Sequence, residues 1–404
     1  MMAISRRTIL NASAKISAFL VITGFGLCRA AAVELSGYMS AEYRYSHHDA
    51  LFSSSGHHNP SMALAPEFYT EWDNGEQSLL FSPFIRVDGE DAERSHADIR
   101  ELQWLLVRDD WELRVGIGKV FWGVAESQHL VDVINQSDFV ENTDTEDKLG
   151  QPMINLSLFQ DWGTVDLFVM PYFRERTFVG RDGRLRGPLV VDTDAATYES
   201  GAGRHHLDVA VRWSHSVGDW ELGLSHFYGS NREPQLLLNS TATALIPFYE
   251  TMHQTGIDAQ YTRESWLWKL EMIRRETSAS TFFALTGGVE YTFYSVFDSD
   301  IDVGLISEYL FDDCDDVCRT AFEDDVLVGT RLTWNDVQSS ELFVGVIHDL
   351  SSEDMAWNIE ASRRIGDRWK VSVEGRFFNV DTVQSVLYPV RRDDYIQLEL
   401  ARYF

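Results

Sequence analysis

From Val33 to the C-terminus the chain is written in segments of about ten residues in which hydrophobic and polar positions alternate, and no stretch carries an apolar stripe of helical period. Trp111, Leu113, Val115 and Ile117 alternate with Glu112, Arg114, Gly116 and Gly118; Leu207, Val209, Val211 and Trp213 alternate with Asp208, Ala210 and Arg212. Successive side chains of a strand point to opposite faces, so each segment has one greasy and one wet face. The pattern predicts strands over 33–45, 63–73, 78–87, 98–108, 111–120, 152–160, 164–174, 204–215, 219–228, 251–262, 265–275, 282–294, 300–311, 325–334, 340–348, 354–364, 369–379 and 393–404.

The connectors alternate as well. Short turns such as Asn74-Gly75, Asp109-Asp110 and Gly366-Asp367-Arg368 are interleaved with longer polar stretches at 46–62, 88–97, 121–151, 175–203, 229–250, 312–324 and 380–392. Short turns on one rim and long loops on the other are the rhythm of a transmembrane antiparallel up-and-down β-barrel. About 18 strands fit, with 16 as the alternative, and the weakest points of the count are the short connectors near 276–281 and 349–353. A soluble sandwich or propeller would also supply many strands, but no propeller-type repeat is present.

The two ends point the same way. Residues Asp393 to Phe404 read DDYIQLELARYF, with Ile396, Leu398 and Leu400 on one face and Gln397 and Glu399 on the other. This ending resembles the C-terminal signal of Gram-negative outer-membrane β-barrel proteins, an alternating strand closed by Phe; here Leu398, Leu400, Tyr403 and Phe404 would carry it, with Arg402 where many such signals have an aromatic. The resemblance implies integral location in the outer membrane and, as partners, its lipid and lipopolysaccharide and the barrel-assembly machinery, with homo-oligomers left open. At the other end, Arg6, Arg7 and Lys15, an apolar run from Ile16 to Leu27, and Ala30-Ala31-Ala32 have the layout of a secretory signal peptide. Residues 1–32 are therefore expected to be removed, leaving 33–404 as a single barrel domain.

Composition narrows the function. The chain has 34 Lys and Arg against 63 Asp and Glu, and loss of Arg6, Arg7, Lys15 and Arg29 with the signal leaves 30 against 63, a net charge of −33. That argues against a nucleic-acid partner, whose footprint is basic. Acids also dominate the wet faces, so the interior potential should favour cations. Two cysteines, Cys314 and Cys318, remain after the signal, and in an oxidising compartment they are expected to close a tight disulfide.

The connector that begins at Phe121 is the best functional segment, because a loop this long is uncommon without a task. Its aromatics and aliphatics (Phe121, Trp122, Leu130, Val131, Val133, Ile134, Phe139) should bury against something. By position it looks like the third loop of general porins, which folds into the barrel and narrows it; an outward lid is the other reading. Gly118 to Gly123, followed by Ile134-Asn135-Gln136-Ser137-Asp138, also resembles uncharacterised outer-membrane barrel families. If the loop turns inward, Glu126, Gln128, His129, Asp132, Asn135 and Asp138 are the groups placed to touch a solute, with Glu112, Arg114, Asp208 and Arg212 on the wall.

His47, His48, His57 and His58 could chelate a transition metal, although solvated loop histidines are the plainer reading; no metal or cofactor is expected. The acidic run 312–325 could meet divalent ions or simply repel itself into an extended loop. No Gly-x-Ser-x-Gly elbow, His-Glu-x-x-His or phosphate-binding Gly-rich loop occurs, and no enzyme is expected. The expected function is a porin-like channel for passive diffusion of small hydrophilic solutes, cation-preferring. The alternative is a plugged or specific barrel for polymer or sugar, or a surface-binding role, with an outer-membrane hydrolase least favoured; inward Phe168 and Phe227 would suit sugar stacking.

Replacing Phe404 by Ala should cut the amount of heat-modifiable barrel recovered from outer membranes; a wild-type amount would show that the terminal aromatic is no assembly signal.

Overall fold

The computed structural model describes residues 32–314 and 322–404. Each of the eighteen alternating segments forms a strand, from Glu34–Ser46 through to Tyr395–Tyr403. Most boundaries fall within two residues of expectation; the largest shift is in the second strand, which starts at His58. The strands form one antiparallel sheet in which sequence neighbours pair, and the last strand pairs with the first from Tyr38↔Tyr403 to Ser46↔Tyr395. The sheet is thus a closed barrel with no free edge, and both described ends lie at the rim of short turns. The connectors 278–280 and 350–354, the least certain by sequence, are real reversals between paired strands.

Alternation sets the two surfaces. On the strand Trp266–Thr277, Trp266 and Trp268 are exposed outside while Glu271, Ile273 and Arg275 are buried inside. On the last strand Ile396, Leu398, Leu400 and Phe404 are exposed on the outer face. Tyr403 falls on the opposite face, its ring 5.7 Å from that of Tyr38 across the closing seam. Arg402, outward between Leu400 and Phe404, places its guanidinium 5.7 Å from the centre of the Trp369 ring. A cation at this depth is tolerated because the long side chain reaches an aromatic at the rim.

The interior core lies against one side of the wall. Trp122, Val131, Val133 and Ile134 from the long connector pack on Met153, Phe168, Met170, Phe227, Met252 and Ile273. Phe168 and Phe227 do point inward, but Phe168 is 3% exposed beneath Trp122 and Phe227 is 1% exposed beneath Arg232. They are therefore packing residues and not a sugar-stacking surface.

One feature of the long-loop rim was not expected. Thr197–Tyr198, Gln235–Leu238 and Leu245–Tyr249 form a separate three-stranded sheet joining connectors 171–207 and 231–250. Its strands are too short to stand out as alternation, and one of its pairings is parallel, so no local turn announces it. The segment expected to be a signal peptide, apart from Ala32, and Cys318 with the rest of 315–321 lie outside the described residues.

Close strand approach fixes at least one residue identity. Gly116 has φ of +138°, and a Cβ there would lie 2.0 Å from the Leu102 carbonyl oxygen. Gly116→Ala should destabilise the barrel by about 1–3 kcal/mol, read as a lower urea midpoint in detergent; Gly56→Ala, at a site with open space around it, should leave the midpoint unchanged.

Candidate functional site

The connector 119–150 runs inside the barrel, as the inward reading expects. Two wall carboxylates, both fully buried, hold its first half. Glu271 accepts hydrogen bonds from the backbone N–H groups of Val124 (2.7 Å), Ala125 (2.9 Å) and Val131 (3.2 Å). Glu308 accepts from the N–H groups of Glu126 (2.7 Å) and Ser127 (2.8 Å) and from the Ser127 hydroxyl (2.6 Å). A loop taken from water must find partners for its amides, and ionised acceptors make the strongest hydrogen bonds. Arg232 serves the carbonyls: Nε donates to Val133 O and Nη2 to Ile134 O, each at 3.0 Å.

The second half is held by ion pairs. Arg86 bridges Glu42 on the first strand to Glu141 on the loop, and Arg94 pairs with Glu42 and Asp88. Arg100 lies 2.6 Å from Asp138. Farther on, Asp144 meets Arg376 on the wall at 3.1 Å, and Asn142 donates to Glu374. The loop therefore touches wall strands from both halves of the sequence and divides the lumen.

Beside it remains a water-accessible cavity of about 1070 Å³ that opens to solvent. The loop contributes Glu126, Gln128, His129, Asp132, Glu146 and Lys148; the wall contributes Arg275, Phe343, Glu360 and Arg376 among others. Among the described residues, eight Asp and Glu line it against five Lys and Arg.

The sequence candidates separate on this geometry. Glu126 pairs with Arg331 and, at 3.6 Å, with Lys269; Gln128 donates to Thr286; Asp132 pairs with Lys148 at 3.0 Å. These three and His129 border the cavity. Asn135 also borders it, but its side chain clips the loop together, accepting from Val120 N–H and donating to the carbonyls of Gly118 and Leu149. Asp138 is fully buried and Asp208 is buried between Arg232 and His206, so neither is placed to meet a solute. Arg212 makes a two-point pair with Asp258 (2.7 Å each) under Trp122. Glu112 and Arg114 pair with each other on the strand Trp111–Gly118, away from the cavity lining. Sequence reasoning missed Glu271 and Glu308 as loop anchors: on their strands they are ordinary inward acids, and nothing local marks the amides they receive.

The four loop histidines do not converge. His48 faces Asp394 at 3.6 Å, His57 faces Asp49 at 3.2 Å, and His58 meets the Tyr43 hydroxyl.

Searches against protein-family models and against curated proteins find no match. Solved structures do match. Pseudomonas aeruginosa OccK11 (OpdR) aligns with a TM-score of 0.53 at 8% identity over 92% of this chain and 94% of that one. A mutant of the Rh. blastica porin aligns with a TM-score of 0.46 at 13% identity over 92% of this chain and all of that one. The chain has the fold of an outer-membrane porin-like β-barrel. With that fold, the wet inner wall and the inserted loop are the parts of the barrel that vary by purpose, and chemistry must be argued from them.

In this porin-like barrel His129 is the best-defined titrating group of the loop. Burial disfavours its charge, but Glu146 at 2.9 Å and Glu271 at 3.8 Å outweigh that and raise it from 6.5 to about 10. A raised folded-state value means the pairing stabilises the docked loop fully below pH 6.5, and the gain is lost as pH rises through about 10. The stability that holds the loop amides against hydrogen exchange should accordingly fall progressively between about pH 6.5 and 10. His129→Gln should remove that dependence, and a wild-type loop whose opening free energy is flat across this range would contradict the pairing.

Proposed function

We propose that the protein is a channel for passive diffusion of small hydrophilic solutes, with a preference for cations. The observation that carries this reading is the cavity beside the inserted loop, water-accessible and lined, among the described residues, by eight acids against five Lys and Arg. Fixed negative charge in a confined aqueous passage raises the local concentration of cations and lowers that of anions. The loop supplies the narrowing, and its carboxylates Glu126, Asp144 and Glu146 line the cavity, while the Asp132 side chain is sealed against Lys148. No covalent step is needed; the wall only orders charge around water.

A second reading has support from the rim. Connector 171–207 reaches over the mouth: Arg184 donates to His48 O at 2.6 Å and pairs with Asp393 at 3.2 Å, and Gly180 N–H donates to Asp91 at 2.9 Å. Ties of this kind to three other loops suit a gated or cargo-specific barrel.

Purified protein in planar bilayers separates the two. The channel reading expects steady single-channel steps and a reversal potential of cation sign in a KCl gradient. Asp144→Asn with Glu146→Gln should lower the cation-to-anion permeability ratio at least about fivefold, since each charge roughly 8 Å from a passing ion in water is worth about 0.5 kcal/mol and two are removed. Anion selectivity of the wild type would refute the preference. A silent barrel that conducts only after Arg184→Ala would favour the gated reading.

A further inference from the structure

The face of the inserted loop turned away from the cavity carries chemistry that diffusion does not use. Among the described residues, His96, Asp138 and Glu141 form the group of His, Cys, Asp or Glu side chains whose ligand atoms all fall within 4.8 Å of one another. His96 closes connector 89–96, immediately before the strand Ala97–Val107; Asp138 and Glu141 belong to the inserted loop. His96 Nε2 stands 3.5 Å from Glu141 Oε1 and 3.8 Å from Asp138 Oδ2. Asp138 is fully buried, and the Glu141 side chain is 4% exposed.

Each of these three atoms is sealed from water and makes no hydrogen bond. That is unusual, because buried polar atoms are nearly always paired. It is more so here because every other polar atom of the three side chains is engaged. His96 Nδ1 is 3.1 Å from the Arg94 carbonyl oxygen, which can only accept, so Nδ1 carries a proton and in the neutral ring Nε2 offers its lone pair. Glu141 Oε2 accepts from Arg86 Nε at 2.8 Å, and Asp138 Oδ1 accepts from the Thr177 hydroxyl at 2.6 Å. Outer contacts of this kind orient metal ligands and leave the inner lone pairs free. Three lone pairs meeting in a dry space repel one another unless a cation lies between them.

The local charge balance agrees. The buried network sets the guanidiniums of Arg86, Arg94 and Arg100 against the carboxylates of Glu42, Asp88, Asp138 and Glu141, one positive charge short. Arg100 lies 2.6 Å from Asp138 Oδ2, without hydrogen-bond geometry, and this oxygen would serve both Arg100 and an ion through its two lone pairs.

We propose that His96, Asp138 and Glu141 bind a divalent transition-metal ion of the zinc class, which clamps the inserted loop to connector 89–96. One imidazole nitrogen and two carboxylate oxygens are a zinc-type donor set, and a tetrahedral ion with bonds of about 2.0–2.2 Å holds its ligands roughly 3.3–3.6 Å apart. The imidazole stands 3.5 and 3.8 Å from the two oxygens, which themselves lie within 4.8 Å of each other, so the carboxylates need only draw in on the ion. Calcium would call for six or more oxygens, which this group does not offer. The clamp is independent of the solute and of the channel's selectivity.

The test uses the full barrel, purified without a polyhistidine tag, stripped with EDTA and held in detergent. The parent carries Ala at positions 47, 48, 57 and 58, so that loop histidines do not contribute. Titration with Zn²⁺, and with Co²⁺ followed by its visible absorption, should show one ion per chain and a tetrahedral cobalt spectrum. His96→Ala or Glu141→Gln should weaken binding by about 100-fold or more, each checked for the heat-modifiable barrel on gels. His96→Cys should restore binding and add a thiolate-to-cobalt charge-transfer band, a signature that a merely structural histidine would not give. A folded parent that takes up no ion, or a folded His96→Ala variant that binds as the parent does, overturns the proposal.

Discussion

Hydrocarbon offers a backbone N–H or C=O nothing to bond to, and this constraint organises the whole molecule. A sheet meets it only by closing, which the pairing of Glu34–Ser46 with Tyr395–Tyr403 accomplishes. Once the cylinder is closed, period-two alternation assigns every side chain to lipid or lumen. A slip of one residue would exchange Trp266 and Trp268 outside for Glu271 and Arg275 inside.

The inserted loop faces the same constraint from within. Its backbone cannot join the wall ladder, so the wall reaches out with side chains. Glu271 and Glu308 take five of its backbone N–H groups between them, and Arg232 takes two of its carbonyls. Carboxylates that a sequence reader assigns to a wet wall are here structural acceptors. The interior acidity thus has two uses: one group of acids holds the loop, and another faces the water beside it. The electrostatics of the passage belong to the second group alone, which is why acid counts over the whole chain overstate the field a solute would meet.

The same division applies to the aromatics. Trp122, Phe168 and Phe227 form a dry seam between loop and wall, while Trp266, Trp268 and Trp369 stay on the outer surface. Dry packing on one side of the loop and hydrated charge on the other give it two different faces. The loop is anchored by buried partners on one side and borders open water on the other.

The sequence by itself determined the identity of the two barrel surfaces and the rhythm of turns and loops, and narrowed the strand number to about 18, with 16 as the alternative that the paired strands exclude. These follow from alternation, which is local, and from lipid, which allows only closed solutions. It also marked the long connector as one that must bury Trp122 and Ile134. Tertiary structure alone decided which acids meet water. Asp138 and Asp208 look like lumen groups in the sequence, but pairing with Arg100 and with Arg232 and His206 buries them away from the cavity. The convergence of His96 with Asp138 and Glu141, and the small sheet on the loop rim, were equally hidden, because each joins residues whose separation in sequence carries no periodic signal.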